Sequence, residues 1–326
     1  MVRIGKTRFY DNKIFILDRN NGKGVLVFDM FGKFLYSIGN PGHGPAEFVS
    51  LWSFTINEYT NQVILLDTEG RKLLYFTPDG NFISEKRLKY FYSSIEMLGE
   101  NNMAAITVGI ESDYLLHLLN ANVNECEEMF AHKPYNLVIG SNQFTVYEDK
   151  LLYLQSYNDT VYHINPEGAQ VHTIIDYGKH RVTENKLEEV PFGPISTWRS
   201  KAGCMSYTSN YTETSDHIYF TFAYDKQDSP YYVLYNKKNK KSTIYTNSAF
   251  NDISFCPYAP RINGVNSQNE YIAEMDTYIL LESYNAAKAK YNTWDEDTRK
   301  RYDDMQDFIN TLEKDSNPVL MLLKFK

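Results

Sequence analysis

The chain has 326 residues, of which 43% are hydrophobic and 15% aromatic, so it can bury a large core in one domain or two. Its formal net charge of −8 argues against general attraction to a phosphate backbone, and we expect no nucleic-acid partner. The 27 Tyr and 19 Phe have flat rings that pack well on a half-buried pleated sheet. The composition therefore favours an all-β fold.

The cysteines and the apolar segments exclude several classes of protein. Cys126, Cys204 and Cys256 are far apart and odd in number, which predicts isolated thiols and no disulfide framework or zinc knuckle. No apolar run approaches the roughly 18 to 20 residues that span a bilayer, and the first residues do not form a signal peptide. We therefore expect a soluble chain without metal or cofactor, compatible with the mature part of an exported protein.

A repeated pattern of strands begins near the start of the chain. Residues 13–39 have the sequence KIFILDRNNGKGVLVFDMFGKFLYSIG, with three apolar runs separated by polar or glycine turns. Residues 62–88, QVILLDTEGRKLLYFTPDGNFISEKRL, repeat this order 49 residues later. The two segments predict units of strands joined by hairpins, with a further strand of each unit in the linker before it.

Fainter copies of the unit follow. They begin near residues 103, 150, 217 and 271, and the last copy resumes at 318–326 as PVLMLLKFK. The starts are about 40 to 67 residues apart, close to the roughly 40 to 50 residues of a four-stranded propeller blade. A β-sandwich has about seven to nine strands, too few for this repeat. The pattern predicts one six-bladed β-propeller domain over residues 1–326.

The last copy is interrupted by a segment with a different periodicity. Thr293 and Glu296 have the spacing of a capping box, and apolar residues recur at helical spacing between Tyr302 and Leu312. A shorter helix is expected just before them. We therefore predict a helical insertion at about residues 282–316 of the last blade.

Several segments resemble a known family. Residues 39–48, GNPGHGPAEF, are similar to the G-x-G-x-G-P-x-E-F turn of NHL-like six-bladed propellers from anaerobic gut bacteria, with Ala46 where a Gly is common. Residues 157–162, YNDTVY, resemble a strand start of that family, and residues 317–320, NPVL, resemble its closing strand. The resemblance covers essentially the whole chain.

The resemblance carries implications for location and ring closure. Family members are typically exported, often as lipoproteins, which implies a periplasmic or cell-surface protein, with a cytoplasmic one still open. Such propellers usually close the ring with an extra N-terminal strand, whereas the first repeat here begins almost at once. Either residues 1–10 serve differently or that strand is missing.

Catalytic motifs are scarce in this sequence. It has no G-x-S-x-G elbow, no H-E-x-x-H and no G-x-x-x-x-G-K loop, and its seven histidines show no close metal-ligand spacing. Asp18, Asp67 and Asp159 end strands and could bind calcium in a channel, as in lactonase-type propellers. Asp is also common at hairpin turns, where it accepts backbone hydrogen bonds, and we favour that role.

The candidate ligand site lies where the loops between second and third strands meet the linkers between blades, at one mouth of the channel. Arginine and aromatic side chains, which dominate recognition energetics, are frequent there. The segment 190–203, VPFGPISTWRSKAG, is its strongest part. The open alternative is that Trp198 packs against its own blade and that the arginines pair with nearby carboxylates. The candidate residues are Arg19, His43, Arg71, Asp159, Trp198, Arg199, Tyr224, Tyr258 and Arg261.

Two functions remain open at this point, because propellers host many chemistries. The leading hypothesis is a monomeric, non-enzymatic binding or scaffold module of an exported bacterial protein, with a carbohydrate, peptide or protein ligand. The alternative is a hydrolase or lyase that acts on a polysaccharide or lactone in the channel. Converging carboxylates or a metal in the channel would favour the alternative.

Overall fold

The structure is a computed structural model that describes residues 4–18, 22–108, 111–133, 143–155, 158–181, 205–224, 230–246, 255 and 260–325, without the side chains of residues 205–207. Its strands form six antiparallel sheets, each built from strands that follow one another in sequence. The predicted six-bladed β-propeller is confirmed. We number the strands of each blade from the channel outward.

The strands of the six blades have the following bounds. Blade 1 contains β1 (Ile4–Tyr10), β2 (Lys13–Asp18), β3 (Val25–Asp29) and β4 (Phe34–Ile38); the short β5 (Asn40–Pro41) and β6 (Glu47–Phe48) pair in the linker after it. Blade 2 contains β7 (Leu51–Asn57), β8 (Gln62–Asp67), β9 (Lys72–Phe76) and β10 (Phe82–Arg87). Blade 3 contains β11 (Tyr92–Leu98), β12 (Asn102–Thr107), β13 (Tyr114–Asn120) and β14 (Glu125–Ala131). Blade 4 contains β15 (Phe144–Tyr147), β16 (Lys150–Leu154), β17 (Thr160–Asn165) and β18 (Gly168–Ile174). Blade 5 contains β19 (Met205–Glu213), β20 (His217–Tyr224), β21 (Tyr231–Asn236) and β22 (Lys241–Tyr245). Blade 6 contains β23 (Arg261–Val265), β24 (Tyr271–Met275) and β25 (Val319–Leu323).

The inner strands are apolar on both sides because each blade packs against two neighbours. In β8, Val63 and Leu65 belong to the core shared with blade 1, whereas Ile64 and Leu66 face the core shared with blade 3. Side chains of a strand point alternately to opposite faces, so a strand between two cores needs a continuous apolar run. This explains why the runs that predicted the blades do not alternate with polar residues.

The N-terminal segment forms the innermost strand of blade 1. β1 pairs with β2 and contacts the innermost strands of blades 2 and 6, so blades 1 and 6 are neighbours in the ring. The family resemblance implied an extra strand at this end, and residues 4–10 serve instead as a regular first strand. The predicted fourth strand before each repeat is likewise the first strand of the blade, as β7 shows.

A helical insertion separates β24 from β25, as predicted. It contains α1 (Thr277–Ala287), a 3₁₀ helix over 288–293 and α2 (Glu296–Asn310), so it begins a few residues earlier than expected. The Asp295 side chain caps α2 by accepting a hydrogen bond from the Thr298 amide at 2.7 Å, in place of the predicted Thr293 cap. Tyr284 of α1 and Tyr302 of α2 stack at 4.0 Å and hold the two helices together.

The glycine turn at 39–48 connects blade 1 to blade 2, as expected. The Gly42 amide donates to the Phe48 carbonyl at 2.9 Å, and the Gly44 amide donates to the Glu47 carboxylate at 2.8 Å. Gly42 has a φ of +153°, which a residue with a Cβ rarely adopts, and a Cβ there would also displace the Glu47 carboxylate, so the position favours glycine. Ala46 has a φ of +62°, which explains why a glycine is common at this position of the turn.

Candidate functional site

The connections between strands fall on two opposite faces of the ring. The hairpin face carries the turns that join first to second strands and third to fourth strands. The linker face carries the loops between second and third strands, the helical insertion and the segments that lead from one blade to the next. The predicted site belongs to the linker face.

A cavity of about 890 Å³ runs along the axis between these faces. All six blades contribute to its wall through their first strands or the turns that follow them. Its volume lies in the range of small-ligand sites, which is roughly 300 to 1,000 Å³. The channel is therefore an open space whose wall mixes polar and apolar side chains.

The first charged centre of the channel joins blades 1, 2 and 3 around Glu96 of β11. The Lys6 ammonium lies 2.8 Å from the carboxylate, Arg8 forms a second ion pair with it, and the Thr55 hydroxyl donates to its other oxygen. Burial alone would raise the pKa of Glu96, but Arg8 and Lys6 lower it to about 2. One carboxylate thus holds the inner strands of three blades together and stays ionised at neutral pH.

The second charged centre joins blades 4 and 5 around Glu213 of β19. Its oxygens lie 2.6 Å from the Lys237 ammonium and 2.8 Å from His172 Nε2, and Tyr211 donates a hydrogen bond at 2.6 Å. Burial opposes ionisation of this carboxyl, but the bonds from Lys237, Tyr211 and His172 leave its pKa below the ordinary value. Lys237 also lies 4.3 Å above the Tyr147 ring.

Three uncharged side chains of the channel wall are suited to contact a ligand. Trp52, at the linker-face end of β7, is 40% exposed, and Tyr59, in the turn at the other end, is 73% exposed. Thr7 of β1 is only 4% exposed, and within the described residues its hydroxyl has no hydrogen-bond partner. A buried hydroxyl without a partner costs about 1–3 kcal/mol, which a polar ligand or water in the channel would offset.

Five of the nine predicted site residues lie in the described part of the chain, all on the linker face as expected. Arg71 pairs with Glu111 at 2.7 Å and lies 3.8 Å above the Phe91 ring. Arg261 pairs with Glu274 at 3.3 Å. Both arginines thus already have carboxylate partners within the chain.

The other three belong to separate blades. Asp159 pairs with Arg181 at 2.6 Å, Tyr224 meets His180 edge to face with ring centres 5.3 Å apart, and His43 is exposed in the linker after blade 1. None of the five described residues lines the central cavity. Arg19, Trp198, Arg199 and Tyr258 lie outside the described residues, so a shared ligand site remains a prediction.

Of the strand-ending aspartates, Asp67 bonds to the backbone, whereas the side chain of Asp159 pairs with Arg181 and accepts a hydrogen bond from the Thr160 hydroxyl. Asp67 accepts hydrogen bonds from the amides of Val49, Ser50 and Gly70 at 2.9 to 3.1 Å. This is the role that we favoured over calcium binding. In the described ranges no three His, Cys, Asp or Glu side chains lie close enough to hold a metal ion, and Cys126 is an exposed free thiol.

The channel residues Lys6, Arg8, Glu96 and Glu213 were missed by sequence reasoning, although a signal was present. Lys6 and Arg8 lie two residues apart and therefore on one face of β1, and Glu96 is a single charge in the otherwise uncharged strand YSSIEML. A charge in a buried strand requires a partner. The identity of that partner depends on residues almost ninety positions away.

Comparisons with known proteins agree with this architecture. The model of the family described as Domain of unknown function (DUF4934) matches residues 1–324. The crystal structure of the "Putative exported protein" of Bacteroides fragilis is similar with a TM-score of 0.82 and 18% identity, covering 100% of this chain and 91% of that one. A DUF4221 member from Bacteroides vulgatus has a TM-score of 0.51 and 10% identity, covering 76% and 82%. No curated protein sequence matches the chain.

Proposed function

The chain belongs to the DUF4934 family, and we propose that its propeller is a non-enzymatic binding module of an exported bacterial protein, with the central channel as its ligand site. The observation that carries the proposal is the open cavity of about 890 Å³ lined by all six blades. Rigid strands fix its wall, and an exposed aromatic ring lies at each end. A carbohydrate, a peptide or a segment of a protein suits such a space.

The state of the two buried channel carboxylates, Glu96 and Glu213, argues against acid catalysis by either of them. A hydrolase or lyase acting on a polysaccharide or lactone uses a general acid whose pKa is raised so that it holds a proton near neutral pH. The pKa values of Glu96 and Glu213 are lowered instead, and each carboxylate is held by cationic neighbours. The enzyme hypothesis thus needs a catalytic group other than these two.

The proposed location is the periplasm or the cell surface, with a lipid anchor as the attachment. The fold likeness to the Bacteroides fragilis protein and the family resemblance support this proposal. None of the described helices is both long and apolar enough to cross a membrane.

The two channel aromatics provide the test of the binding function. We expect Trp52→Ala and Tyr59→Ala each to weaken a ligand found in a panel of neutral glycans and peptides by about tenfold or more, because aromatic contacts dominate recognition. Phe31→Ala removes a ring that is 98% exposed in an outer turn of blade 1 and serves as the matched control. Isothermal titration gives the affinities, and thermal melting confirms that the variants fold.

Two residues predicted for the linker face provide a test of the other site. Trp198→Ala and Arg199→Ala test the proposed site outside the channel with the same panel. Loss of binding in these variants, with unchanged affinity in the Trp52 and Tyr59 variants, would move the site to the linker face. If no member of the panel binds, the binding function itself fails.

A further inference from the structure

The turns that surround the channel on the hairpin face are acidic. Six short turns, 11–12, 58–61, 99–101, 148–149, 214–216 and 266–270, join first to second strands. They contain seven carboxylates and no Lys, Arg or His. We call these carboxylates the acidic rim, and its members are Asp11, Glu58, Glu100, Glu148, Asp149, Asp216 and Glu270.

Part of the rim faces the cavity directly. Glu58 of blade 2 and the pair Glu148 and Asp149 of blade 4 line it, together with the exposed Tyr59 ring. Carboxylates and an aromatic face both attract ammonium groups. Further inside, Thr7 lines the same cavity, and its buried hydroxyl has no hydrogen-bond partner among the described residues.

Two rim carboxylates have a cationic partner in the described part of the chain, and Lys150, Lys238 and Lys240 also lie on the hairpin face. Lys13 pairs with Asp11 at 3.6 Å and Lys324 pairs with Glu270 at 3.3 Å. The ammonium of Lys237 is bound to Glu213, and Lys6 and Arg8 are bound to Glu96. At the mouth itself, burial and the charges of Glu58 and Asp11 raise the pKa of Tyr10, as expected in a negative field.

We infer that the hairpin-face mouth of the channel binds an extended ligand that carries several ammonium groups. The inference rests on the proposed binding function and names its ligand class. The rim carboxylates come one or two to a turn around the ring, an arrangement that suits charges spaced along a chain. A lysine-rich peptide and a polyamine share this chemistry.

The test uses the full chain and a fluorescein-labelled tetralysine peptide, with binding followed by fluorescence anisotropy. The rim variant combines Glu58→Gln, Glu148→Gln and Asp149→Asn, which keep the side-chain shapes. The control variant combines Glu127→Gln, Asp304→Asn and Asp307→Asn, three exposed carboxylates on β14 and α2. Both variants lose the same number of negative charges, so a general charge effect would act on them equally.

We expect the rim variant to weaken tetralysine binding by about tenfold or more and the control variant by about twofold at most. Competition with spermine distinguishes the two kinds of ligand. Displacement of tetralysine by spermine supports a polyamine, whereas binding of the peptide without displacement by spermine supports a basic peptide. Equal weakening in both variants, or displacement of the peptide by calcium at stoichiometric amounts, would overturn the inference. A neutral glycan that binds through Trp52 while tetralysine does not would also overturn it but leave the binding function intact.

Discussion

The two charged centres of the channel, around Glu96 and around Glu213, hold blades together in different ways. Glu96 faces two permanent cations, Lys6 and Arg8, and joins the inner strands of three blades. Glu213 faces one ammonium from an outer turn, a histidine from an outer strand and a hydroxyl from its own strand. The difference is one of charge, because two permanent cations depend on Glu96 and one depends on Glu213.

Glu96→Gln is expected to have the largest effect on stability. The amide leaves the buried Lys6 and the partly exposed Arg8 beside each other without a counter-charge, and breaking such a centre costs about 3 kcal/mol, the lower end of the range for fully buried charges. Urea unfolding measures the loss, with Glu127→Gln, an exposed carboxylate on β14, as the control that should change the free energy of unfolding by about 0.5 kcal/mol or less. A loss under about 1 kcal/mol would show that solvent already screens the centre.

The pH dependence of the free energy of unfolding tests the contribution of Glu96 separately. The pKa of Glu96 falls from 4.5 to about 2 on folding, so its stabilisation of about 3 kcal/mol is complete above pH 4.5 and is lost as the pH falls toward 2. The difference in free energy of unfolding between wild type and Glu96→Gln should therefore narrow over that window. Urea unfolding at a series of pH values checks it, and a difference that stays constant down to pH 2 would contradict the lowered pKa.

Glu213→Gln is expected to cost less, about 2 kcal/mol. Only one permanent cation loses its counter-charge, and Lys237 keeps its hydrogen bonds to the Thr214 carbonyl at 2.7 Å and to the Tyr147 hydroxyl at 3.2 Å. Urea unfolding beside Glu96→Gln measures the contrast directly. Equal losses in the two variants would break the distinction between the centres.

Local pattern in the sequence predicted the blades, because each strand and turn depends on residues close together in the chain. The channel residues escaped prediction for the opposite reason. Lys6 and Glu96 meet because the ring brings β1 and β11 together, and no repeat or motif encodes that contact. The helical insertion also begins earlier than the predicted residue 282. The reason is that α1 follows β24 after a single residue, Asp276, without a turn signal between them.

The predicted linker-face site shows a further limit of sequence reasoning. Arginine and aromatic residues were expected in the loops of that face, and pairing of the arginines with carboxylates was an open alternative, but the sequence did not identify the partners. Arg71 and Arg261 are engaged by Glu111 and Glu274, both of which belong to other loops or strands. Composition therefore indicates which side chains can recognise a ligand, whereas burial and pairing determine which are available.

The helical insertion has a consequence for the order in which the ring assembles. In blade 2, four residues separate the second strand from the third, whereas 43 residues separate β24 from β25. Closing the longer connection costs about 2 kcal/mol more in chain entropy, before any helix forms within it. Blade 6 is then the last sheet to form and the first to open, and the backbone amides of β25 should exchange with deuterium before those of β8 and β9.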